Sequence, residues 1–133
     1  MKKIIIILSL LALVTNSCDN RGQIRTYFED STGLDFPPSG KVIEQDDNGF
    51  ALDWWCSGVI EMDTLDYMNI LNNIQMRADS LIIDENITYR RLSLSDSETI
   101  FASFEEHRDS HGRRYWLSFY KNKRMIKCFF ESI

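Results

Sequence analysis

The sequence predicts an α+β domain: an antiparallel sheet of about five strands with one or two helices packed on a face. Three observations carry that prediction. Residues 50–62 alternate apolar or small side chains with polar ones, and residues 64–79 repeat their apolar positions at helical spacing. Beyond residue 97, three more alternating stretches follow, joined by short polar connections of the kind that make a meander. A closed or half-closed barrel is the other arrangement open to the same strands.

The first element is a leader. Lys2 and Lys3 precede an eleven-residue apolar region, Ile4 to Val14, broken only by Ser9, and small or polar residues follow at once, which gives the three parts of a signal peptide. As a helix that run rises only ~16 Å against a hydrocarbon core of ~30 Å, too short for a permanent span. Ser17 directly before Cys18 resembles the cleavage box of bacterial lipoproteins, with Thr15 where leucine is commonest and Asn16 where Ala or Ser is favoured. The chain as a whole is similar in layout to small bacterial lipoproteins with a single α+β domain. The resemblance implies cleavage after residue 17 and acylation of Cys18. The protein would then sit in the cell envelope, lipid-anchored to a bacterial membrane, at the outer membrane or facing the periplasm. Each buried methylene contributes ~0.8 kcal/mol, so two or more acyl chains hold durably. The competing outcome is ordinary signal cleavage near Ser17 with release of the chain. Residues 1–17 are thus read as signal peptide, 18–22 as a lipidated tether and 23–133 as one domain.

Loss of residues 1–17 leaves 116 residues with 13 basic and 20 acidic side chains, a formal charge of −7. That length suits one domain. With 44% hydrophobic and 12% aromatic residues, the chain has the means to build a core and is not of disordered composition. The acidic balance and the short, interrupted basic clusters Arg90-Arg91, Arg113-Arg114 and Lys121 to Lys127 argue against a nucleic-acid partner.

Ile24, Tyr27 and Phe28 recur at helical spacing before Gly33, predicting a short helix near 22–31. Asp35 to Gly40 is a connector stiffened by Pro37-Pro38. Strands are predicted at Lys41–Gln45 and Phe50–Met62, with a tight turn through Asp46-Asp47-Asn48-Gly49. Gly58 marks either a bulge or a close packing contact. Asp63 or Thr64 caps a helix over 64–79, which Asp66 assists from its first turn. Tyr67, Ile70, Leu71, Ile74 and Ala78 form the stripe that lies on the sheet. Residues 80–97 fit a helix extension, a buried strand or a loop. Glu98–Glu106, Arg113–Tyr120 and Arg124–Glu131 complete the strands.

Once Cys18 carries lipid, Cys56 and Cys128 remain. Both fall on apolar strand faces, and an oxidising compartment allows a bridge closing a 73-residue loop, which stabilises by up to ~4 kcal/mol. Two buried free thiols satisfy the same pattern. His107, Asp109 and His111 form the only cluster with metal-ligating chemistry. It lies around a strand turn, where i,i+4 spacing does not bring imidazoles together, so no metal or other cofactor is expected. Ser57, before Gly58, lacks the glycine on its other side and the strand-to-helix turn of a nucleophile elbow.

Aromatics give the strongest hint of a surface. Trp55, Phe101, Trp116, Tyr120 and Phe129 fall opposite the main apolar faces of their strands. Either the N-terminal helix and the 80–97 segment cover them, or they form an exposed binding patch. The expected function is a non-enzymatic binding module at the envelope, with a protein or glycan partner, and an immunity-like toxin neutraliser falls in the same class. The alternative is a small hydrolase or metal-dependent enzyme built on the His107/His111 region.

Overall fold

The computed structural model describes residues 21–48, 54–80, 87–108 and 113–132. The leader, Cys18 and the centre of the His107–His111 cluster lie outside the described residues. Two helices, α1 (Arg21–Thr32) and α2 (Thr64–Asp79), accompany six strands. These are β1 (Lys41–Asn48), β2 (Trp54–Glu61), β3 (Ile87–Leu94), β4 (Ile100–Arg108), β5 (Arg113–Tyr120) and β6 (Met125–Ser132). They form one sheet in the order β1-β2-β6-β5-β4-β3, with every neighbouring pair antiparallel. The α+β class holds, with six strands where about five were expected. The added strand is β3, inside the stretch that fitted three readings.

Register explains which residues go inward. Cys56, Phe130, Tyr115, Glu106 and Arg90 stand side by side across β2, β6, β5, β4 and β3. Gly58, Cys128, Leu117, Phe104 and Leu92 make the next row, and Ile60, Ile126, Phe119 and Ala102 the one after. All of these except Arg90 and Leu92 are buried, and both helices pack on this face.

Gly58 is where α1 lands. A side chain there would meet Ile24 Cδ1 at 2.7 Å and the Glu44 carbonyl oxygen at 2.9 Å, so the glycine marks close packing. Tyr27 stacks on Trp54 at 4.4 Å between ring centroids, and Phe28 is fully buried. Gly33, at φ +68°, ends the helix in the left-handed conformation and donates its N–H to the Glu29 carbonyl. The Arg77 guanidinium donates to the Thr32 carbonyl, placing a cation at the negative end of the α1 dipole.

Asp63 caps α2 by accepting the Asp66 N–H at 2.8 Å. Ser39, at the end of the proline connector, donates its N–H and hydroxyl to Asp66 Oδ2 and accepts the Asp63 N–H. These bonds fasten the connector to the helix start and hold the Asp66 carboxyl below the usual carboxylate range. Ile70, Leu71 and Ile74 are buried, and Tyr67 reaches the end of β5 by donating its hydroxyl to the Tyr120 carbonyl at 2.7 Å.

The tight turn expected at Asp46–Gly49 is corrected. Asp46, Asp47 and Asn48 pair with Ser57, Cys56 and Trp55, so β1 continues through them; Gly49 and the first residues of the strand expected from Phe50 lie outside the described residues. An edge strand tolerates these acids because one of its sides meets water.

Replacing Gly58 by Ala is expected to lower stability by about 1–3 kcal/mol, because a backbone oxygen, which cannot step aside, crowds the new methyl. A lower denaturation midpoint with unchanged slope is the readout. For Asp66 the folded carboxyl is the stronger acid, so its contribution is present above the unfolded pKa and is lost as pH falls through the folded one. Asp66→Asn should therefore flatten the acid limb of the stability profile, measured by urea denaturation between neutral and acidic pH.

Candidate binding face

The other face of the sheet carries no helix among the described residues. Two adjacent rows dominate it. The first runs Trp55, Glu131, Arg114, His107, Tyr89 across β2, β6, β5, β4 and β3. The second runs Asp46, Ser57, Phe129, Trp116, Glu105, Arg91 from β1 to β3. Next comes a polar row in which Ser103 and Ser118 hydroxyls stand 3.3 Å apart, followed by Lys127 and the buried Val59.

Rings from both rows touch in a zigzag. Trp55 and Phe129 have centroids 5.9 Å apart, Phe129 and Trp116 5.2 Å, Trp116 and His107 6.0 Å, and His107 and Tyr89 4.9 Å. The band therefore crosses five strands, about 19 Å at the usual spacing. Trp55, His107, Trp116 and Phe129 are half-buried against one another, and Tyr89 at the β3 edge is exposed. Offset and edge-to-face contacts of this kind add about 0.5–1.5 kcal/mol each beyond the area they bury.

Three of the five residues expected at a binding surface, Trp55, Trp116 and Phe129, thus come together. Tyr120 lies four residues from Trp116 along β5, ~13 Å away, and Phe101 sits at the irregular register of β4 beside it. Neither joins the band. Coverage by the N-terminal helix is corrected, since α1 rests on the opposite face at Gly58; of the 80–97 segment, Ile87–Leu94 extends the sheet as β3 and residues 81–86 lie outside the described residues. Tyr89 and His107 were not foreseen as members. The signal for Tyr89 was its alternation with Arg91 and Ser93, masked because inward-facing Arg90 breaks the apolar pattern of that strand.

The catalytic alternative, built on His107, Asp109 and His111, gains weight if those side chains converge with Glu105 or Glu106 in one pocket. His107 Nε2 lies 2.5 Å from Glu105 Oε1 on the open face, whereas Glu106 points into the core on the other side. His111 and Asp109 lie outside the described residues, and among the described residues no group of three metal-ligating side chains occurs. Glu106, fully buried, is taken up by Arg90 Nε and Arg108 Nε, both at 2.8 Å, and by the Tyr115 hydroxyl at 3.1 Å. Arg90 also donates to the Arg77 carbonyl at 3.0 Å, tying β3 to the end of α2. Burial and the Glu106 charge push the Tyr115 hydroxyl pKa upward, so it stays a hydrogen-bond donor. This is a structural ion cluster with every carboxylate oxygen engaged.

Cys56 and Cys128 are buried free thiols. They occupy neighbouring strands one row apart, a diagonal of ~7 Å against the ~3.5–4.5 Å between Cβ atoms that a bridge needs. Burial, with Asp47 and Asp46 nearby, pushes the Cys56 thiol up to about 11, and burial pushes Cys128 upward as well. Neither is a nucleophile at neutral pH. Ser57 lies mid-strand between Asp46 and Phe129, away from any strand-to-helix turn. No family model, curated protein or solved structure matches the chain.

Glu106→Ala leaves Arg90 unpaired against the core and is expected to cost ~3 kcal/mol, the low end for a broken buried pair because both arginines keep some water contact. Loss of more than 1 kcal/mol by chemical denaturation supports this; a neutral result rejects it.

Proposed function

We propose that this chain is a non-enzymatic binding module, tethered at the cell envelope through Cys18, that engages a protein through the bare face of its sheet. The observation that carries the reading is the continuous aromatic band from Trp55 to Tyr89 on a face no described helix covers. Antiparallel sheets commonly leave one face to water, and that face is then polar. Here five rings occupy it, with Arg91, Arg114, Glu105 and Glu131 among them. Tryptophan, tyrosine and arginine grouped on one surface match the composition of interface hot spots.

The tilt of the rings favours a protein over a glycan. A sugar chain laid across a sheet needs ring faces in a common plane. Only Trp55 and Phe129 approach that, at 14°, while Trp116 stands at 66° to Phe129 and 68° to His107. Such a surface is ridged, and ridges suit interdigitating side chains. The tether is consistent with this role: two residues separate Cys18 from the start of α1, three Cα steps with a reach of at most ~11 Å.

Cross-linking in cells with affinity purification and mass spectrometry tests the reading. The native chain should yield one protein near equal stoichiometry, and Trp116→Ala with Phe129→Ala should lose it. Truncation of one hot-spot ring costs about 2 kcal/mol, roughly thirtyfold in affinity. Capture undiminished in a variant that is folded by circular dichroism overturns the reading, and so does a partner lacking in both. Cys18→Ser is expected to move the protein out of the membrane fraction.

A further inference from the structure

The charges on the open face are divided by half. The β1, β2 and β6 side carries Glu44, Asp46 and Glu131, while the β5, β4 and β3 side carries Arg114 and Arg91. Among the described residues none of these five makes an ion pair or a side-chain hydrogen bond within the chain. Lys127 on β6, Lys41 on β1 and Glu105 on β4 run against the division, and Glu105 is occupied by His107.

A two-fold axis laid along the strands, midway between β5 and β6, brings this face onto itself. It sets β6 against β5 of a second copy, β2 against β4 and β1 against β3. In the first row Glu131 then meets Arg114 of the second copy and Trp55 meets His107. In the second row Phe129 meets Trp116, Ser57 meets Glu105 and Asp46 meets Arg91. In these two rows Glu131, Asp46 and Glu105 each face a base or a hydroxyl and Trp55, His107, Phe129 and Trp116 each face a ring, while Tyr89 falls opposite the Asn48 position of β1. Self-complementarity about one axis is what an isologous dimer requires. Sheets packed face to face cross at about 30°, so the pairs nearest the axis, Glu131 with Arg114 and Phe129 with Trp116, lie closest.

We propose that the partner of this face is a second copy of the chain, giving a two-fold β-sandwich dimer. The inference rests on the binding reading above and names its occupant. The size agrees: five strand spacings by seven residues is roughly 24 Å by 24 Å, or about 1,150 Å² over both copies, just above the ~1,000 Å² a biological interface needs. Anchoring both copies to one membrane through Cys18 would raise their effective concentration.

Sedimentation velocity of the full chain, expressed with its leader and purified in mild detergent, tests this at micromolar concentrations. The wild type is expected to be dimeric. Arg114→Glu opposes two pairs of acids across the axis and Glu131→Arg two pairs of bases, so each variant alone should dissociate at least tenfold more readily. Mixing the two should restore the dimer, because every opposed pair is again of unlike sign, and the double swap Arg114→Glu with Glu131→Arg should restore it in one chain. Restoration also shows that the single variants are folded. A dimer indifferent to the single swaps, or a single-variant defect that neither mixing nor the double swap repairs, overturns the proposal. So does a wild-type monomer throughout. The wider binding reading then stands if cells still yield a different protein whose capture needs Trp116 and Phe129, and falls if they do not.

Discussion

Ile24 rests on the backbone at Gly58, and that contact decides which side of the sheet is covered. With no side chain at Gly58, α1 settles close enough for Phe28 to be fully buried and for Tyr27 to stack on Trp54. The end of α1 is then where Arg77 of α2 can reach its last carbonyl, so the second helix is drawn to the same side. Strand alternation does the rest. Residues one position out of phase with Gly58 on each strand are left facing away from both helices.

The far end of the covered face is held by charge. Glu106 receives two arginines and a tyrosine, and one of those arginines also binds the end of α2. Replacing such a cluster with apolar side chains often costs nothing in stability. Its role here is geometric, because Arg90 and Glu106 are direct neighbours in the β3–β4 ladder. A slip of β3 by one residue against β4 would turn Arg90 to the open face and Tyr89 into the core, leaving Glu106 buried without that arginine. The pair therefore fixes the register that places Tyr89 at the end of the band.

The open face follows from what the covered face requires. Polar residues appear where water is available, as in the serine row, yet the two rows nearest the other end hold rings and unpaired charges. The edges of the sheet are guarded by irregular register in β1 and β3 and by exposed charge, which discourages the addition of further strands. An acylated Cys18 would complete the picture of a small domain presenting that face beside a membrane.

The sequence by itself determined most of the elements. The stop at Gly33, the Asp63 cap, the stripe of α2 and the inward positions of β2, β5 and β6 are all local signals, because helix and strand periods are set by backbone geometry. It also marked Trp55, Trp116 and Phe129 as outward. Only the tertiary structure decided that β3 exists, since Arg90 is tolerable inside only when Glu106 stands beside it. Only the tertiary structure decided that both helices share one face, which follows from a contact between residues 24 and 58. The membership of Tyr89 and His107 in the band, and the exclusion of Phe101 and Tyr120, depend on strand order and register. Those are relations between distant segments, and no window of the chain contains them.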